Sequence, residues 1–295
     1  MQFDPAQLAA LSAVLRHGGF EAAAVDLGLT QSAVSQRIKA LETRAGAQLV
    51  TRAKPCTGTE LGRRLAAHAD QIALLEAQLT DDLSARVPQP QTRIRLALPA
   101  DSLATWFLDA LSDLPAHLFE LSIDDQDYSA DWLRRGEVLG AVTAQPDPAP
   151  GCDALPLGAL PYVATASPAF LARHFPSGVT AEALAHAPML RFNPKDRLQH
   201  LWIEKVTGAR LSPPTHGLPS SEGFVQACRL GIGWGVNPLA LVARDLATGR
   251  LVALVDATRI ETPLYWQTPR LMAPALAALT RAVRRAARTH LATPV

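Results

Sequence analysis

Apolar residues at the start of the chain recur on a helical period. Leu8, Leu11, Val14 and Leu15 mark one face of a helix over residues 5–17, with Pro5 near its start and Gly18-Gly19 at its end. A second, short helix is predicted from Glu21 to Leu27 and stopped by Gly28; Thr30 then stands as the cap of a third that runs to about Arg44. In the third helix Val34, Ile38 and Leu41 form an inward stripe, while Ser32, Ser35, Gln36 and Lys39 face outward. Helices joined by a glycine-containing turn predict a helix-turn-helix. Leu49 to Arg64 reads as a hairpin wing, with a turn at Lys54-Pro55-Cys56-Thr57-Gly58 and the start of another helix. Along that helix Leu61, Leu65, Ile72, Leu75, Leu79 and Leu83 recur mostly at three- and four-residue steps, with no Pro or Gly from Arg63 until Pro88.

Beyond Arg93 the period changes. Short β-like runs (Ile94–Leu98, Leu118–Asp124, Val138–Ala144, Tyr162–Ala166, Met189–Phe192, Ile232–Val236 and Leu251–Val255) alternate with helical stretches. That alternation predicts an α/β unit with mainly parallel sheet and strands enough for two small sheets, divided into two lobes with a cleft between them. A last helical segment, Ala273 to about His290, is expected to return to the first lobe. The expected division is therefore 1–60 for a winged helix-turn-helix, 61–90 for a linker helix and hinge, and 91–295 for the two-lobed unit. Its lobe I would span about 91–162 and 268–295, and lobe II about 163–267.

Charge sharpens this picture. The net charge is only +1, yet from Gln31 to Arg64 seven basic residues face two acidic ones, so the rest of the chain is net acidic. A basic wing beside a polar helix face suits phosphate and base-edge contacts on double-stranded DNA, for which Gln31, Ser32, Ser35, Gln36, Arg37, Lys39, Arg52 and Lys54 are the candidates. The bland alternative, a solvated amphipathic helix, does not explain the preceding helix, the turn and the wing together. The leucine stripe is roughly 38 Å long, more than so small a domain can cover, so Leu65, Ile72, Leu75 and Leu79 are expected to pair two chains. A two-fold dimer would set two recognition helices on successive major grooves.

Other function classes find little support. Cys56, Cys152 and Cys228 are scattered and odd in number, and the eight histidines lack a ligand spacing, so neither a disulfide framework nor a metal site is expected. No cofactor and no catalytic constellation are expected either. Gly231-x-Gly233-x-Gly235 follows a predicted helix instead of a strand, the reverse of a dinucleotide-binding loop. The absence of an 18-residue apolar run and of a secretory leader over Met1–Gly18 sets the expectation of a cytoplasmic protein without a membrane partner.

The stretch from Leu29 to Glu42 (Leu-Thr-Gln-Ser-Ala-Val-Ser-Gln-Arg-Ile-Lys-Ala-Leu-Glu) resembles the recognition helix of the LysR-type regulators, and Phe20–Ala24 resembles the helix before it. The resemblance continues through Gln48-Leu49-Val50-Thr51-Arg52, departing at Val50 where the family usually has an aromatic, and through Thr59-Glu60-Leu61-Gly62. More weakly, it extends over Val225–Pro238. It implies a promoter-binding transcription regulator, a homodimer or homotetramer in contact with RNA polymerase. It also implies a periplasmic-binding-protein-like, Rossmann-like effector domain. Ala100–Phe107 and Phe192–Asp196 are similar to the branch that senses lysine or arginine, controls basic amino-acid export, and has been described as inhibiting replication initiation. For such an effector, Ser102, Thr143 and Ser221 are candidates for the carboxylate and Asn193 for the α-amino group. Asp125 and Glu222 lead for the cationic end, with Asp101 and Asp124 in reserve. Helix capping explains several of these residues equally well.

Overall fold

The computed structural model describes residues 3–82, 92–124, 129–256 and 258–293. Its first unit begins with α1 (Pro5–His17), α2 (Phe20–Leu27) and α3 (Gln31–Ala45). Each boundary has a local cause. Asp4 accepts from the amides of Ala6 and Gln7, Thr30 accepts from Ala33 N, and Gly18, Gly28 and Gly46 end the three helices in the left-handed conformation. Leu8, Leu11, Val14, Val34, Ile38 and Leu41 meet in one core, whose burial supplies the stability that helices this short lack in isolation.

The wing is β1 (Val50–Thr51) paired antiparallel with β2 (Thr57–Gly58), leading into α4 (Glu60–Asp82). The residues carrying the resemblance have structural work here. Glu42 Oε1 accepts from Leu49 N at 2.9 Å and Val50 N at 3.3 Å, tying the end of α3 to the wing. Thr59 donates to Gln48 O at 2.9 Å and accepts from Gly62 N at 3.1 Å, which starts α4. A Cβ on Gly62 would lie 2.0 Å from Leu49 O, so only glycine lets α4 abut the wing backbone. Val50 is buried, so its departure from the family pattern falls on packing.

The second unit opens with β3 (Thr92–Leu98) and a continuous helical segment: α5 (Ala100–Ser102), a π turn (Leu103–Phe107) and α6 (Leu108–Ser112). There follow β4 (His117–Ile123), α7 (Ser129–Arg134), β5 (Gly140–Thr143), the long β6 (Cys152–Ala166), α8 (Pro168–His174), α9 (Ala181–His186) and β7 (Met189–Arg191). The chain continues through α10 (Leu198–Thr207), β8 (Thr215–Gly217), α11 (Ser221–Arg229), β9 (Gly235–Pro238), α12 (Leu239–Thr248), β10 (Val252–Ala253), β11 (Arg259–Pro269) and α13 (Ala277–His290). Strand order is β10-β6-β11-β5-β3-β4, with β9 also on β6, while β7 and β8 pair separately.

Two expectations are corrected here. The sheet is mixed, not mainly parallel: β3 runs parallel to β4 and β5, and β7 to β8, but β6 and β11 are antiparallel to each other and to their remaining neighbours. The lobes also do not carry two separate main sheets, because β6 and β11 run through both, with a register break between Leu264 and Tyr265. One apolar cluster accordingly spans the two lobes, from Phe107 and Trp266 to Trp202 and Trp234. α13 packs on α6 and the π turn, where Trp266 Nε1 donates to Thr280 Oγ1 at 3.1 Å. Gly231 ends α11 ahead of β9, and a Cβ on Gly235 would lie 2.3 Å from the Phe224 ring, so this glycine run serves close packing.

Candidate functional site

On α3 the inward stripe leaves Gln31, Ser32, Gln36 and Lys39 exposed and Ser35 and Arg37 half-buried. Ser32, Ser35, Gln36 and Lys39 share one helix face, whereas Arg37 flanks the buried stripe. The Arg52 guanidinium stands over the Phe20 ring at 5.3 Å, and Lys54 is exposed in the wing turn. The structure thus brings a polar helix face and cationic wing residues together on one small unit.

The linker face divides differently from its leucine pattern. Leu65 is 8% exposed within the core of its own unit, and Ile72 packs on that core from its edge, so Leu65 is not available to a second chain. Leu74, outside the stripe, is buried against the core of the second unit. Leu75 is 45% exposed, so its side chain is open to contact from outside its own unit. The Leu79 side chain lies outside the described residues. Among the described residues two ion pairs join the units: Arg63 to Glu137 at 3.4 Å and Arg95 to Asp70 at 2.9 Å. Burial drives the Asp70 carboxyl above its ordinary value against the pull of Arg95.

Between the lobes is a cleft. Its walls include Pro99, Ala100 and Asp101 at the start of α5, Asp124 after β4, and Ser221 and Phe224 on α11. Phe192, Asp196, Arg197, Gln199 and Asn237 close the lobe II side. Asp101 is the junction: Tyr162 OH donates to its Oδ2 at 2.9 Å and Ser221 Oγ to its Oδ1 at 2.6 Å. Asp124 Oδ2 accepts from Trp132 Nε1 at 3.1 Å, and Lys195 Nζ lies 3.3 Å from its Oδ1. Asp196 spends its oxygens on the amides of Phe192 and Leu198. Three carboxylates stand against the lining Arg197 guanidinium and the neighbouring Lys195 ammonium, so the cleft keeps an excess of negative charge. The N-terminal ends of α5 and α11 reach this cleft, and the dipole of a helix N-terminus favours a carboxylate; in α11 Ser220 Oγ already accepts from Gly223 N at 3.1 Å.

Of the residues picked from sequence, Asp101, Asp124 and Ser221 line this cleft. Four others do not. Ser102 is fully buried within α5; Thr143 is buried at the end of β5 and accepts from Gln145 N. Asn193 Oδ1 is taken by the amides of Lys195 and Asp196, and Glu222 points to solvent one position past the cleft-lining Ser221. Asp125 lies outside the described residues. Tyr162, Phe192, Asp196 and Asn237 were missed. Asp196 had a legible signal, since Asn-x-x-Asp before an apolar helix is turn-and-cap chemistry.

Among the described residues no group of three or more metal-ligating side chains converges, and no helix is long and apolar enough to cross a membrane. The three cysteines are free. A helix shaped for a DNA groove, joined by one long helix to a cleft for a small charged molecule, defines a one-component regulator, in which sensing and DNA binding share a chain. Two family models divide it accordingly: the bacterial regulatory helix-turn-helix of the lysR family over residues 5–63, and the LysR substrate binding domain over residues 88–288. The chain belongs to the LysR family of transcriptional regulators and is not an enzyme.

Among its relatives, the HTH-type transcriptional regulator LysG of Mycobacterium tuberculosis is 45% identical over 286 residues, 97% of this chain and 94% of that one. The crystal structure of ArgP from Mycobacterium tuberculosis is 44% identical, with a TM-score of 0.80 over 99% of this chain and all of that one. Full-length LysG from Corynebacterium glutamicum with bound effector arginine is 37% identical, with a TM-score of 0.67 over 98% of this chain and 99% of that one.

Proposed function

We propose that this regulator senses lysine or arginine in the cleft between its lobes and controls genes such as a basic amino-acid exporter. The observation that carries the reading is the placement of Asp101 and Asp124 in a cleft that also receives two helix N-termini. A basic amino acid carries cation and carboxylate at opposite ends, and this cleft offers complementary charge for both. The bound arginine of the Corynebacterium relative supports the same ligand class.

Residues 1–60 bind promoter DNA, 61–90 pair two chains, and 91–295 hold the effector. Gln31, Ser32, Ser35 and Gln36 read base edges, and Arg37, Lys39, Arg52 and Lys54 meet phosphates. Dimers, or dimers of dimers, act in the cytoplasm on promoter-bound RNA polymerase. Calorimetry of the full-length protein tests the sensor assignment. Lysine or arginine binds at millimolar concentration or below, and norleucine, which lacks the terminal cation, binds at least tenfold more weakly. Equal binding of norleucine would remove the assignment.

A further inference from the structure

Lys195 stands where the ligand's cation would go. Its Nζ is 3.3 Å from Asp124 Oδ1, so an ammonium on a four-carbon stem, the terminal group of free lysine, already rests on a cleft carboxylate. The pair joins the lobes, Asp124 following β4 and Lys195 lying in the turn between β7 and α10. Both halves are held in place. Trp132 Nε1 fixes the other oxygen of Asp124 at 3.1 Å, and Asn193 Oδ1 accepts from Lys195 N at 2.7 Å. The lysine side chain itself is 46% exposed and the aspartate 25%, which makes the contact weak enough to exchange with a solute.

We propose that Lys195 is a tethered competitor for the cationic group of the ligand. It occupies Asp124 in the ligand-free cleft, is displaced when a basic amino acid enters, and thereby sets the concentration at which the regulator responds. The inference rests on the reading of the cleft as a basic amino-acid site. A competitor tethered to the protein lowers apparent affinity by the fraction of molecules in which the carboxylate is already taken. For a pair as exposed as this one the factor is about two- to fivefold.

Calorimetric titration of full-length protein with lysine tests it. Lys195→Met tightens binding about two- to fivefold, and Lys195→Arg, which restores a cation, restores the wild-type affinity. In an Asp124→Asn background Lys195→Met brings no further tightening, because the group it competes for is gone. Unchanged or weaker binding by Lys195→Met overturns the inference while leaving the sensor reading in place. Equal tightening in the Asp124→Asn background also overturns it, by showing a long-range field in place of competition. If lysine and arginine bind neither wild type nor Lys195→Met, the sensor reading falls and takes this inference with it.

Discussion

Replacing Asp101 by alanine isolates the junction between the lobes. The carboxylate accepts from Ser221 Oγ at 2.6 Å and from Tyr162 OH at 2.9 Å, and both donors belong to buried residues. Alanine leaves two hydroxyls without that acceptor, at about 1–3 kcal/mol each, so the loss is about 2–6 kcal/mol. Opening of the cleft would rehydrate Ser221 at its edge more readily than Tyr162, which favours the lower half of that range. In a two-lobed unit of this size each kcal/mol moves the melting temperature by about 2–4 °C, giving a drop of about 4–16 °C for the lower half. Asp101→Asn retains an acceptor oxygen and an amide that either hydroxyl can meet, so it loses no more than about half as much. Differential scanning fluorimetry of the full chain without ligand reads the effect. A melting point for Asp101→Ala within about 2 °C of wild type would refute the bridging role.

Three further outcomes follow from the geometry. Gln36→Ala, on the exposed face of α3, weakens operator binding by about 1–3 kcal/mol without changing the melting curve; unchanged affinity in a gel-shift titration removes the base contact. Leu75→Glu dissociates the dimer about a hundredfold or more, because two leucines leave an apolar seam and two charges enter it. Light scattering that still finds the wild-type mass excludes α4 as the seam. Burial raises the Cys228 thiol from 9.0 to about 11, so its contribution to stability is complete below pH 9.0 and is lost as pH climbs through about 11. Cys228→Ala flattens the alkaline limb of the urea midpoint, and an identical limb in both proteins contradicts that origin.

The N-terminal helices were legible because their signals are local: Thr30 beside its helix, Gly18 and Gly28 at the stops, Val34, Ile38 and Leu41 four or three residues apart. β11 was not, since Pro263 and Pro269 interrupt an alternating run and proline normally marks an edge or an end. Here Pro263 lies in a strand flanked by β6 and β5, one residue before the register break at Leu264/Tyr265. Pro156 and Pro161 hid the first half of β6 in the same way. The cleft was half legible. Asp101 and Ser221 follow recognisable strand-to-helix junctions, but the partnership between them spans 120 residues of chain. Asn193 and Asp196 are both polar turn residues, and the fold brings only Asp196 to the cleft wall. Leu65 fitted the pairing stripe by spacing alone, and the core of its own unit claimed it first.

The crossing of β6 and β11 limits how the molecule can move. Main-chain hydrogen bonds resist sliding of one ribbon along the other, so relative motion of the lobes is channelled into bending and twisting across this doubled strand. Gly158, opposite Leu264 at the register break, has φ of 137°, and the neighbouring Ala159 exchanges both main-chain hydrogen bonds with Ala292, each at 2.9 Å. The segment after α13 is thus a strap riveted across the flexure. It ties the joint to a segment that lines no part of the cleft, so substitutions beside Ala292 bear on the stiffness of the joint without altering any cleft-lining group.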